Sequence, residues 1–183
     1  MTFVAEVSKP LIDPLKYSSW TKLIRVTAWV LRFIGKLLSK VKKGGSAVPT
    51  LVRENLLTPV ELEEAGKFWV KQAQIERFPI EVRNLNGGRE VSRQSPLKQL
   101  TPIIDKEGML RVGGRLTRAA LPYDTMHPMI LPKKHHITRL IVADVHGRCH
   151  HAGINHVLAQ VRHRYWIIDG RQEVKNWDRV QSV

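Results

Sequence analysis

The sequence predicts a mostly α fold with a small β element: a helical linker followed by a compact three-helix module. Three observations carry this expectation. Apolar residues recur at three- and four-residue steps through the first eighty residues and again beyond Lys134, the spacing that lines one face of a helix. Short apolar runs framed by Gly and Pro appear between Met109 and Leu131. His146 and His151 stand in an H-x4-H pattern across a break between two helical stripes.

From about Leu15 to Lys43, the residues Trp20, Leu23, Ile24, Thr27, Leu31, Ile34 and Leu38 share one helical face. Lys22, Arg25, Arg32, Lys36, Lys40 and Lys43 occupy another, and no acidic residue occurs from Lys16 to Lys43. Ser18 or Ser19 caps the start, and Gly44-Gly45-Ser46 ends the helix or follows its end. A second helix opens at Thr58-Pro59-Val60-Glu61, a capping-box arrangement with Pro at the first helical position. Leu62, Ala65, Phe68, Trp69, Gln72 and Ala73 carry its period towards Phe78, and Pro79 stops it. Residues Asn84 to Pro96 read as a loop, with turn chemistry at Asn86-Gly87-Gly88.

Met109 to Val112 and Met129 to Leu131 are short strand candidates, and Asp105 to Gly108 is a hairpin turn leading into the first. Gly113-Gly114 lacks the spacing of a phosphate-binding loop and reads as a tight turn or bulge ending that strand. Helix returns with Ile137, Leu140, Ile141 and Val145 as one stripe, and with Ile154, Val157, Leu158 and Val161 as another between Gly153 and Arg164. A third short helix is expected from Arg171 to Arg179. The segments divide as 1–50, a basic amphipathic helix; 51–108, a helical linker; and 109–183, the terminal module.

Composition narrows the partners. Among 183 residues, 30 Lys and Arg face 16 Asp and Glu, a net charge of +14, which favours polyanions. Cys149 is the only cysteine, so no internal disulfide framework exists and a reducing compartment, cytoplasmic or nuclear, is the simpler expectation. No signal-peptide core and no membrane-spanning apolar run appears. The basic helix from Lys16 to Lys43 has three readings: contact with nucleic-acid backbone through Lys22, Arg25, Arg32 and Lys36, attachment to an anionic membrane surface, or a solvated face.

His146 and His151 form a zinc-finger-like opening, because a metal held there would tie two helices together; core packing is the alternative reading of such a pair. Structural zinc takes four Cys or His ligands. A Cys149 nucleophile beside His150 would need a base oriented in space, which sequence adjacency does not supply. The acidic residues fall mainly in helices and turns, so no strand-borne carboxylate set for two divalent ions is evident and no catalytic residue is assigned.

The stretch LRVGGRL (Leu110 to Leu116), HPMILPKKHHITRLIV (His127 to Val142), HHAG (His150 to Gly153) and RYWI (Arg164 to Ile167) resembles the integrase zinc-binding region of BEL/Pao-type retrotransposon polyproteins. Upstream, SSWTKLIRVTAWVLRFI (Ser18 to Ile34) and LTPVELEEAGKFWVKQAQ (Leu57 to Gln74) resemble the segment joining ribonuclease H to integrase in the same polyproteins. The resemblance implies that His146 and His151 are zinc ligands completed by a C-x2-C pair. It also implies a role in DNA-end binding and integrase assembly, with DNA and the neighbouring integrase or ribonuclease H parts as partners and no membrane. Gln181 stands where the first cysteine of that pair is expected, and the chain reaches Val183 before the second. The expectation is therefore a truncated module in which zinc binding is weak or absent.

Overall fold

A computed structural model describes residues 11–43, 56–114, 121–150 and 153–181. The fold is mostly helical with one small sheet, as the periodicities require. Helix α1 spans Trp20–Lys43, and Ser19 caps it by accepting the Lys22 N–H. The chain before it forms a single 3-10 turn, Pro14–Lys16, capped by Asp13. The helix thus begins later than Leu15, because Asp13-Pro14 and Ser19 each favour a turn or cap over a helix interior. Gly44-Gly45-Ser46 lies outside the described residues.

Helix α2, Pro59–Arg77, begins with the expected capping box: Thr58 accepts the Glu61 N–H, and Glu61 accepts the Thr58 N–H. Pro79 stops α2 but also opens α3, Pro79–Asn86, where its fixed φ suits the first helical position. The loop expected from Asn84 therefore starts after Asn86.

The sheet has four short strands in the order β1-β2-β3-β4: Ile103–Ile104, Leu110–Arg111, Met129–Leu131 and Tyr165–Ile167. The first three pair antiparallel, and β3 pairs with β4 in parallel. The hairpin between β1 and β2 turns at Asp105, whose carboxylate accepts both the Glu107 and Met109 N–H groups. At the end of β2, Gly113 lies so close to the Thr101 carbonyl that a Cβ has no room, and Gly114 has φ 121°. The glycine pair is a backbone requirement of the strand end, as expected. A one-turn helix α4, Tyr123–Met126, leads into β3. Between β3 and β4 run α5, His136–Arg148, and α6, Ile154–Arg162; a parallel pair needs a crossover of this length. Helix α7, Gly170–Gln181, closes the module.

Alternation along the strands gives the sheet two buried faces. Met109, Met129 and Leu131 join the main core with Trp20 and Leu23 of α1, Trp69 and Val70 of α2, and the apolar stripes of α5, α6 and α7. Leu110 and Ile130 point the other way, into a second cluster with Phe78 and Leu97. One core thus draws on all three sequence segments. Gln74 of α2 is buried between these layers, and its side chain donates to the Leu110 and Ile130 carbonyls and accepts the Leu110 N–H, each at 2.8 Å. A second buried polar group, Arg111, donates to Asp105, Asp124 and the His127 carbonyl.

Replacing Gln74 with Leu removes three buried hydrogen bonds at once. The expected loss is roughly 2–4 kcal/mol, since buried backbone groups left without a partner carry their full desolvation cost. Urea unfolding of the Gln74→Leu variant checks this; a loss below about 1 kcal/mol would mean that the strands find other partners.

Candidate metal and nucleic-acid site

The metal-site expectation rests on the end of α5. His135 caps that helix: its Nδ1 accepts the Ile137 N–H, which leaves Nε2–H to donate to Glu76 at 3.0 Å. Ile137, Leu140, Ile141 and Val145 are buried, so the stripe read from the sequence is the packed face. His146 follows in the last turn, only 5% exposed. Its ring lies 4.5 Å from the Trp177 ring, tilted by 52°. Trp177 belongs to α7, so His146 stands where α5 and α7 meet. Gln181 follows Trp177 by four positions in the same helix.

Cys149 is the C-cap of α5, half-buried against the core, and its N–H donates to the Val145 carbonyl. His150 adopts φ 50° and is exposed. His151 lies outside the described residues. Among the described residues no group of three or more His, Cys, Asp or Glu side chains is placed to hold a metal ion. Two other histidines bond to backbone carbonyls: His127 to Val112 at 2.9 Å and His136 to Tyr17 at 3.0 Å. His136 thereby ties the segment before α1 to the module, and His127 joins the end of β2 to the approach to β3.

The four basic residues of α1 divide. Lys22 and Arg25 are exposed, and Lys36 is half-buried. Arg32 instead makes a two-pronged ion pair with Glu61 and donates to the Leu56 carbonyl, with its side chain 9% exposed. It also lies 4.6 Å from the Trp29 ring centre. Arg32 therefore joins α1 to the capped start of α2, whereas Lys22 and Arg25 face solvent. Sequence periodicity places all four on one helical side; a carboxylate from another helix sets Arg32 apart. The hydrogen bond from Arg32, with that from the Thr58 N–H, lowers the Glu61 pKa from 4.5 to about 2.

Further basic groups carry no signal in the sequence. Lys134 and Arg139 border an open cavity of about 360 Å³ beside Trp177, with Asn176 and Glu173. Glu173 is buried and accepts the Lys134 N–H, where Lys134 turns through φ 53°. No local pattern marks this cluster, because its members come from the approach to α5, from α5 itself and from α7.

Glu61 has its pKa lowered by folding, so the pair's contribution is present above 4.5 and fades as the pH falls towards about 2. Glu61→Gln is expected to lower stability at neutral pH and to flatten the acid side of the curve across that window. Urea unfolding at stepped pH measures it, and two parallel curves would assign the acid loss to other carboxylates. No protein-family model, no curated protein and no solved structure matches this chain.

Proposed function

We propose that this chain is a non-catalytic nucleic-acid-binding segment of a retrotransposon polyprotein. In this reading it comprises the linker and the integrase zinc-binding-like module, and acts in DNA-end binding and integrase assembly within the cytoplasm or nucleus. The observation that best supports the reading is the position of His146. A buried histidine at the end of α5 packs on α7, the helix that carries Gln181 one turn beyond Trp177. That is the junction a ligand set drawn from His146, His151 and a pair near position 181 would tie together. The net charge of +14 and the solvent-facing Lys22 and Arg25 suit a polyanionic partner.

Position 181 is Gln where the resemblance expects a cysteine, and no group of three or more His, Cys, Asp or Glu is placed to hold a metal ion among the described residues, which do not include His151. The proposed role is therefore built on the helical scaffold and its charge, and no step is assigned to a bound ion. An alternative reading is an element-derived host protein that acts as a zinc-independent nucleic-acid or protein-interaction module; the exposed apolar residues Val26, Trp29, Phe33 and Leu37 on α1 support its protein-interaction form. Attachment to a membrane by spanning is not part of either reading: no helix among the described residues is long and apolar enough to cross one.

Duplex DNA binding is expected to be salt-sensitive with little sequence preference. Replacing Lys22, Arg25 and Lys36 by Gln should flatten the dependence of log affinity on log salt by about 0.9 for each phosphate no longer neutralised. Arg32→Gln should reduce stability instead, because its guanidinium is held by Glu61. Fluorescence anisotropy across a salt series separates the two, and an unchanged slope in the triple variant would move the DNA-binding surface to the α5–α7 side.

Restoring the ligand pair tests the module assignment. Gln181→Cys, with a further Cys added after Val183, should produce tight zinc binding with proton release and a raised melting temperature when zinc is present. His146→Ala in that background should remove both gains. Equally tight, stoichiometric zinc on the unaltered chain would show that other residues complete the site.

A further inference from the structure

Helix α1 has a face that belongs to neither core cluster, although the Arg32 guanidinium rests on its Trp29 ring. Val26, Trp29, Phe33 and Leu37 follow one another at spacings of three and four, so they form a single stripe along three turns. They are exposed by 39%, 42%, 61% and 43%. Contiguous exposed apolar surface of this kind marks an interaction site rather than an ordinary surface, where apolar residues stand singly. The segment before α1 runs alongside the stripe and walls a groove of about 730 Å³, lined by Leu11, Tyr17, Val26, Trp29 and Phe33.

Charge restricts what can lie there. Arg25 and Lys36 flank the stripe, Lys22 stands at its start and Lys16 lines the groove. Helix α1 has no acidic residue, and the carboxylate in the groove, Asp13, is turned to the Leu15 N–H at 3.0 Å. A second copy of α1 would bring cations against cations. The apolar lining with its basic flank complements a surface that pairs an apolar stripe with acidic residues.

From these observations we infer that the α1 groove is a docking site for an amphipathic helix of a partner protein. That helix carries apolar anchors at i, i+3, i+4 and i+7, and Asp or Glu along the flank that meets Arg25 and Lys36. The inference rests on the protein-interaction reading and makes no use of the metal site. Apolar anchors would supply most of the affinity. The acidic flank would set orientation and speed the encounter, as complementary charge does at interfaces.

The test uses the full chain as bait in a selection from a display library of amphipathic helical peptides. A Phe33→Ser/Leu37→Ser variant serves as counter-selection, with its melting temperature verified as unchanged. Enrichment of acidic sequences with the stated apolar spacing is the expected result. The enriched peptide, made synthetically, should lose at least tenfold in affinity on Phe33→Ser. It should lose a similar factor on Arg25→Glu/Lys36→Glu, and Lys in place of the peptide's acidic flank should recover binding to that second variant.

Several results would overturn the inference: no groove-dependent peptide, enrichment of basic peptides, a concentration-dependent dimer abolished by Phe33→Ser, or phosphatidylserine-vesicle binding abolished by the same change. The DNA reading is judged separately, since Phe33→Ser should leave the salt slope of duplex binding unchanged. Loss of peptide binding with intact DNA binding, or the reverse, therefore identifies which reading failed.

Discussion

The side-chain amide of Gln74 is the joint on which the sheet's position depends. Strands of two and three residues have too few ladder bonds to stand as an independent sheet. Gln74 answers Leu110 as a neighbouring strand would, accepting its N–H and donating to its carbonyl, and reaches Ile130 of β3 as well. Helix α2 thereby holds β2 and β3 by directed bonds in addition to apolar packing. A leucine at this position would pack, but would strand three backbone groups. The two core clusters can then form on opposite sides of the sheet, because its register is pinned.

Charge pairs make the other joints, and they do so at element ends. Arg32 reaches from the middle of α1 to the capping box of α2, so one carboxylate serves both helix initiation and helix pairing. Arg111 gathers the hairpin, α4 and the approach to β3. Arg164 adds an exposed pair to Glu63 of α2, which contributes little by comparison because water competes for both ends. These pairings leave the chain's excess positive charge on outward faces. On α1 that charge adjoins an apolar stripe, so the proposed affinities for polyanions and for an acidic helix would draw on neighbouring surfaces of the same element. The two binding modes would compete for Arg25 and Lys36 but differ in their need for Phe33.

Elements governed by local rules are legible in the sequence. Thr58-Pro59-Val60-Glu61 specifies a helix start through bonds made within four residues. The stripes of α5 and α6 follow from a repeat of 3.6, and the Asp105 turn from a side chain bonding its own backbone. Strands β2 and β3 are legible through the Gly and Pro that frame them, whereas β1 and β4 are not, since their pairing comes from partners elsewhere in the chain. For the site, the sequence places His146 at the end of α5. That its ring rests on Trp177 depends on how α7 packs back.

By itself, then, the sequence determined the capped start of α2, the apolar stripes of α5 and α6, the hairpin turn, the excess of positive charge and the spacing of His146 and His151. These properties are written within a turn or two of chain, where φ/ψ preference and periodicity decide the outcome. Only the tertiary structure decided that Arg32 is an internal ion-pair partner while Arg25 faces solvent, and that Gln74 acts as part of a sheet. It also decided that Val26, Trp29, Phe33 and Leu37 remain outside the core. Each of these depends on which element arrives opposite a given face. That choice is made by long-range burial of apolar surface and by the pairing of buried polar groups, and neither is encoded in neighbouring residues.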